Sequence, residues 1–107
     1  MSELGDKQRR FTCMIGELIG WAYENGYELT FGDAYRDPRV TYGHQNSLHR
    51  KRLAVDLNLF INGEWQQSTE AHTPLGEYWE SIGGTWGGRF DDPPDGNHYS
   101  LAYNGMR

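Results

Sequence analysis

The sequence predicts an α+β fold in which helices flank a small antiparallel sheet. Three observations indicate this class: an amphipathic pattern near the N-terminus, an apolar strand followed by a hairpin signal, and a second helical segment before a last strand. Helix, strand, hairpin, helix and strand in this order are typical of an α+β arrangement. A chain of 107 residues supports one modest core, so we expect residues 1–107 to form a single domain.

The first predicted element is an amphipathic helix from about Asp6 to Asn25. Apolar residues recur along it at intervals of three and four, which places them on one face. The members of this face are Phe11, Met14, Ile15, Leu18, Ile19 and Ala22. Gly26 is a typical C-terminal stop, and residues 27–34 follow as a strand. Cys13 falls opposite the apolar face, so we expect an exposed thiol, and a single cysteine excludes an intrachain disulfide.

The central predicted element is a strand that begins at Leu53 and runs to about Ile61. It is almost continuously apolar, which is the pattern of a strand covered on both faces. Alternation places four of its residues on one side, namely Ala54, Asp56, Asn58 and Phe60. Asn62-Gly63 then predicts a tight hairpin turn, with residues 64–67 as the return strand.

The C-terminal part of the chain predicts a second helix, a loop and a last strand. Thr73 and Pro74 are predicted as the N-cap and the first residue of a helix that continues to Ile82 and stops at the following glycine pair. Residues 85–96 are rich in Gly, Pro and Asp and are predicted as a loop. Residues 98–103 are predicted as the strand that closes the domain.

Composition and charge exclude several classes of function. The net charge of −5 argues against nonspecific nucleic-acid binding, which needs a basic surface. No apolar run reaches the roughly 18 residues that a membrane span requires, so we expect none. The polar N-terminus lacks the core of a signal peptide, so we expect synthesis in the cytoplasm and action outside only after release.

Asp56 is the residue whose position most needs an explanation. A carboxylate in an apolar strand costs several kcal/mol unless it is hydrogen-bonded, paired or bound to a metal. His49 lies just upstream across a basic turn, and His98 opens the last strand. Two imidazoles and a carboxylate are typical of catalytic zinc, which keeps a fourth position for water. The residue types also leave open a second interpretation, in which these are hydrogen-bonded structural histidines and a turn-forming aspartate.

Two further side chains fit hydrolytic chemistry at such a centre. Asp95 lies in a Pro-Pro-Asp-Gly turn three residues before His98, where its carboxylate could act as a general base on the attacking water. Arg36 follows the first strand and is a candidate for stabilising an oxyanion.

The motif Ser47-x-His49-x6-Asp56, followed by Asp95-x-x-His98, resembles the signature of the zinc D-alanyl-D-alanine carboxypeptidase family. This family includes bacterial carboxypeptidases and dipeptidases, and the L-alanyl-D-glutamate endopeptidases that phages use as endolysins. The resemblance is greatest to the compact phage-type members and covers almost the whole chain. It implies the hedgehog/D-Ala-D-Ala-peptidase-like fold.

The resemblance also implies roles for individual residues. His49, Asp56 and His98 would be the ligands of Zn²⁺. Asp95 would be the catalytic acid and base, and Arg36 would stabilise the transition state.

Three residues are candidates for contact with the substrate. The resemblance implies that Ser47 lies beside the substrate, although it could instead hydrogen-bond the loop that carries His49. Gln45, in the long polar loop over residues 35–46, could present an amide to a peptide. Trp86 lies among glycines and could form a wall of the cleft, although a place in the core is the alternative.

Other residues receive weaker expectations. Many family members carry Gly at the position of Arg52, and we expect the loop to differ here so that Arg52 avoids a positive φ. His44 is expected as an exposed loop residue and His72 as a structural residue without chemistry. Asp91 and Asp92 are expected to form a solvated turn.

We therefore expect a zinc peptidase that hydrolyses peptidoglycan stem peptides, with no nucleic-acid partner. The resemblance favours a monomeric phage endolysin that cuts the L-Ala-D-Glu bond. The alternatives are a D-alanyl-D-alanine carboxypeptidase or dipeptidase, and a non-catalytic module that binds zinc and a peptide. A metal nuclease, suggested by residues 44–49, is disfavoured by the acidic charge.

Overall fold

The structure is a computed structural model that describes residues 2–35, 37, 39, 47–91 and 93–107. Over these residues it has two α-helices, three short 3₁₀ helices and a sheet of five short strands. The helices are α1 (Glu3–Glu24) and α2 (Thr73–Ser81), and the strands are β1 (Glu28–Phe31), β2 (Ala54–Ile61), β3 (Glu64–Gln66), β4 (Thr85–Trp86) and β5 (His98–Ser100). The predicted α+β class with a small antiparallel sheet is confirmed.

Helix α1 begins three residues earlier than predicted because Ser2 caps it. The Ser2 hydroxyl accepts a hydrogen bond from the Gly5 N–H at 3.0 Å. The helix ends before Gly26, which has a φ of 85°. The predicted apolar face is buried except for Ile19, which is partly buried against the core. Cys13 is exposed, as expected.

Strand β2 is the centre of the sheet. Strand β1 pairs antiparallel with one of its edges, and β5 and β3 pair antiparallel with successive parts of the other edge. Strand β4 adds outside β5. The predicted hairpin between β2 and β3 is confirmed, since Asn62 and Gly63 have φ values of 52° and 78°, as a type I′ turn requires.

The prediction that β2 is covered on both faces is wrong for most of its length. Val55, Leu57 and Leu59 are buried, whereas Asp56 and Asn58 on the opposite face are only partly buried. The reason is that side chains of both helices join the core on the first face. The second face, which carries Asp56, is therefore reached by water.

The region around α2 differs from the prediction in three ways. Thr73 is the first residue of the helix, not its N-cap, because a 3₁₀ turn leads directly into it. The predicted loop over residues 85–96 contains β4, whose Trp86 pairs with Tyr99 of β5. The last strand ends at Ser100. The predicted stop of α2 at the glycine pair is confirmed by Gly83, which has a φ of 105°.

The core is built around two large side chains, Trp79 of α2 and Tyr99 of β5, both fully buried. The ring of Phe11 meets Trp79 edge to face at 5.8 Å, which joins α1 to α2. The Tyr99 hydroxyl and Nδ1 of His72 are hydrogen-bonded at 2.7 Å. Within the described ranges, no helix is both long and apolar enough to cross a membrane.

The buried His72 makes the fold sensitive to acid. Burial lowers the pKa of His72 from 6.5 to about 4, so the folded state holds it neutral while the unfolded state takes up a proton below pH 6.5. Stability is therefore complete above pH 6.5 and falls as pH drops towards 4. A pKa difference of about 2.5, at about 1.4 kcal/mol per unit, corresponds to about 3 kcal/mol. Urea unfolding at pH 7 and pH 4.5 measures about 2 kcal/mol of this loss, because pH 4.5 still lies above the folded-state pKa.

The matched control is His72→Asn, which keeps a polar atom for Tyr99 but does not titrate. We expect the variant to lose less stability between the two pH values than the wild type does. An equal loss in both proteins would contradict the assignment to His72.

Candidate metal centre

Three side chains from different segments converge on the open face of β2. Asp56 lies directly opposite His98 in the β2–β5 register. His49 comes from the 3₁₀ helix Leu48–Lys51, which leads into β2. Asp56 Oδ1 lies 3.3 Å from His49 Nε2 and 3.9 Å from His98 Nδ1. The three potential ligand atoms all lie within 4.8 Å of one another.

The backbone of Asp56 is fixed on both sides. Its N–H donates to the Asp33 carbonyl and its carbonyl accepts from the Gly32 N–H, each at 2.7 Å. On the other side the neighbouring Leu57 N–H donates to the Asn97 carbonyl at 2.9 Å. The carboxylate is therefore placed by the sheet and not by a loop.

Two local features fix the two ends of the 3₁₀ helix that carries His49. The Ser47 hydroxyl accepts a hydrogen bond from the His49 N–H at 3.1 Å and caps the 3₁₀ helix. Arg52 ends it in the left-handed region at φ 58°. The expectation that the loop avoids a positive φ at Arg52 is therefore wrong. The Arg52 guanidinium lies 4.1 Å from the centre of the Tyr35 ring.

The donor set fits a metal ion. Among the residues that the structure describes, no hydrogen-bond partner reaches the buried Asp56 Oδ1, which is unusual for a polar atom in a folded protein. Two ligands about 2.0 Å from a tetrahedral zinc ion stand about 3.3 Å apart, close to the separation of His49 Nε2 and Asp56 Oδ1. Two imidazoles and a carboxylate also suit other divalent transition metals. The site could therefore hold Zn²⁺ or a similar ion.

Asp95 lies in the turn that precedes His98. Its N–H donates to the Gly87 carbonyl at 2.9 Å, and its carbonyl accepts from the His98 N–H at 3.2 Å. Partial removal from water and the negative charge of Asp56 raise the pKa of the Asp95 carboxyl, and His49 opposes them. Asp95 is therefore within electrostatic reach of the centre while remaining exposed.

A family model supplies the comparison that decides the class of protein. The model of the D-alanyl-D-alanine carboxypeptidase family matches residues 41–101, more than half of the chain. The chain belongs to this peptidase family. The matched segment contains His49, Asp56, Asp95 and His98, whereas Arg36 lies outside it. A comparison with curated proteins gives no match.

The peptidase has a cleft of about 220 Å³ on the same side of the sheet as Asp95. Side chains and backbone from β2, β3 and the turn before β5 line it, including Asn58, Trp65, Gln67, Thr69, Asp95 and Asn97. Trp65 is 56% exposed. An aromatic surface with several amides can contact a peptide and hydrogen-bond its backbone.

The remaining predicted site residues have different outcomes. Arg36 and Gln45 lie outside the described residues, as do His44 and Asp92. The expectation that Trp86 walls the cleft is wrong, because its side chain is only 2% exposed and belongs to the core of the peptidase. Its indole N–H donates instead to the Gly96 carbonyl at 2.7 Å.

Gly87 is a site residue that the sequence analysis missed. A Cβ at this position would lie 2.2 Å from the Asp95 carbonyl oxygen and 2.7 Å from His98 Cβ. The turn that carries both residues therefore packs directly on the Gly87 backbone. The signal was the glycine pair after Trp86, which was assigned to a loop.

Removing the carboxylate of Asp56 should abolish metal binding. We expect Zn²⁺ at a hundredfold excess over its Kd to stabilise the wild type by about 2.7 kcal/mol and Asp56→Asn hardly at all. Thermal unfolding with and without Zn²⁺ measures the difference. The control is Asp91→Asn, which removes an exposed carboxylate and should respond like the wild type. An equal zinc response in Asp56→Asn would show that the ion binds elsewhere.

Substitution of Arg52 tests the left-handed backbone. Arg52→Gly and Arg52→Ala both remove the guanidinium from Tyr35, but only Gly adopts a φ of 58° without cost. We expect the Gly variant to be more stable than the Ala variant by about 1 kcal/mol in urea unfolding. A more stable Ala variant would contradict the left-handed assignment.

Proposed function

We propose that this chain is a zinc-dependent peptidase that hydrolyses peptidoglycan stem peptides. The observation that carries the proposal is the convergence of His49, Asp56 and His98 within 4.8 Å in a member of a peptidase family. The centre lies on the open face of β2, where a peptide can reach it. The adjacent cleft gives the substrate a place on the same side of the sheet.

In the proposed mechanism His49, Asp56 and His98 would hold zinc. When bound, zinc polarises a carbonyl and lowers the pKa of water towards about 7. Asp95 would take the proton from the attacking water as the C–O bond forms, and would then pass it to the amine as the peptide C–N bond breaks. Arg36 stabilises the negative charge that develops on the carbonyl oxygen.

We propose an environment for Asp95 that suits both halves of this proton transfer. A carboxylate whose pKa is raised is a stronger base towards the attacking water than an ordinary aspartate, and once protonated it is still acidic enough to pass the proton to an amine. The hydrogen bonds from its backbone to Gly87 and His98 hold it beside the centre.

The scissile bond that we propose is L-Ala-D-Glu, as in phage endolysins. The resemblance of residues 47–60 to the phage-type members supports this choice, and the family description supports the carboxypeptidase alternative. The cleft extends from Asp95 towards Trp65 of β3, which is compatible with an internal bond of a longer peptide. Ser47 and Gln45 are proposed to contact the substrate, and the enzyme to act as a monomer after release from the cell.

Digestion of purified stem peptides, followed by chromatography and mass spectrometry, tests the proposal. Release of L-Ala, or of muramyl-L-Ala from muropeptides, supports the endopeptidase. Release of free D-Ala would assign the carboxypeptidase activity instead. No hydrolysis by the zinc-loaded protein would leave a zinc- and peptide-binding module.

Asp95→Asn tests the assignment of the acid and base. Loss of a positioned proton-transfer group lowers rates by about 10²- to 10⁴-fold, and we expect a fall of that size in kcat. Zinc affinity should stay close to that of the wild type because Asp95 is not among the three ligands. Asp91→Asn, an exposed neighbour in the same segment, should keep full activity. Full activity of Asp95→Asn would exclude it from the mechanism.

A further inference from the structure

The turn from Asp95 to His98 carries both a proposed zinc ligand and the proposed acid and base. Its three internal carbonyls are each hydrogen-bonded. The carbonyl of Asp95 accepts from the His98 N–H at 3.2 Å, and that of Asn97 accepts from the Leu57 N–H at 2.9 Å. Between them, the buried Gly96 carbonyl accepts from Nε1 of Trp86 at 2.7 Å. This last bond is the one of the three that comes from a side chain.

The indole of Trp86 is itself held in one place. A Cβ added at Gly76 or at Gly88 would lie 2.1 Å or 2.2 Å from a ring atom, so the ring passes directly over the backbone at both positions. The Arg89 guanidinium lies 5.1 Å from the centre of the ring. With 2% of its surface exposed, the side chain has no room for another rotamer.

We propose that Trp86 is a positioning residue for the metal centre. Its indole N–H fixes the Gly96 peptide, and this fixes the distance between Asp95 and His98 and the direction from which each reaches the centre. The inference rests on the proposed function for the roles of these two residues. It goes beyond that function because it assigns the geometry of the site to a core residue that touches neither metal nor substrate.

Trp79 provides a matched control. It is also fully buried, and its Nε1 lies 3.0 Å from the carbonyls of Thr85 and Ser100. Replacing either tryptophan by phenylalanine removes a buried N–H donor and part of a ring. Only the substitution at position 86 removes a bond to the turn.

The experiment compares Trp86→Phe with Trp79→Phe. Co²⁺ replaces Zn²⁺ so that visible absorption reports the affinity and the ligand geometry, and stem-peptide hydrolysis gives kcat and KM. We expect Trp86→Phe to lower Co²⁺ affinity about tenfold, change the Co²⁺ spectrum and lower kcat more than it changes KM. Trp79→Phe should lower thermal stability at least as much while keeping Co²⁺ affinity within about twofold. Equal Co²⁺ affinities in the two variants would overturn the proposal.

A second variant isolates the N–H group. Benzothienylalanine at position 86 keeps the fused ring and replaces the N–H by sulfur, so it preserves the packing that Trp86→Phe partly removes. The same replacement at position 79 is its control. We expect the amide of His98, which donates to Asp95, to exchange its hydrogen faster in the first protein than in the second. Equal exchange would overturn the positioning role.

These readouts separate the two proposals. If the wild type binds Co²⁺ but cleaves no stem peptide, the proposed function fails while the affinity comparison still decides the role of Trp86. If it binds no Co²⁺, the exchange rate of the His98 amide alone decides whether Trp86 holds the turn.

Discussion

The antiparallel pairing of Asp56 with His98 is the constraint on which the rest of the structure depends. Their side chains share a face because they are direct partners in the β2–β5 register. A shift of one residue in either strand would turn one of them into the core. The register is fixed from the far edge of β2, where Gly32 and Asp33 bond the backbone of Asp56. The hairpin at Asn62-Gly63 fixes the other end of the strand.

The two faces of the sheet have different roles: one packs in the core and the other carries the candidate metal centre. Both helices contribute to the core on one face, through contacts such as Phe11 with Trp79. The other face keeps Asp56 close to water, which lowers the desolvation cost of its carboxylate and leaves a path for a peptide. The two proposed histidine ligands are buried beside it. The centre thus combines rigid donors with an accessible position.

Residue type and local pattern were enough to predict the α1 face and the hairpin, and they made His49, Asp56 and His98 candidates that the family resemblance then joined into one ligand set. They succeeded for Asp56 because a charge in an apolar strand is informative wherever the strand lies. They failed for Trp86, whose burial depends on glycines that are distant in sequence or were assigned to a loop. They also failed for Arg52, since a positive φ at a non-glycine residue depends on the segments that flank it. The open face of β2 depends on where the helices pack, which periodicity does not determine.

The passage of the Trp86 ring over Gly76 has a consequence for how this protein can change over time. An alanine at position 76 would favour helix α2 by up to about 1 kcal/mol, yet the indole occupies the space of its methyl group. Positions 76, 86 and 88 are therefore expected to covary among homologues. Small residues at 76 and 88 should be retained only where position 86 is tryptophan. A mutant library that randomises α2 while Trp86 stays fixed would therefore lose variants with larger residues at position 76. A library that randomises positions 76, 86 and 88 together would recover them.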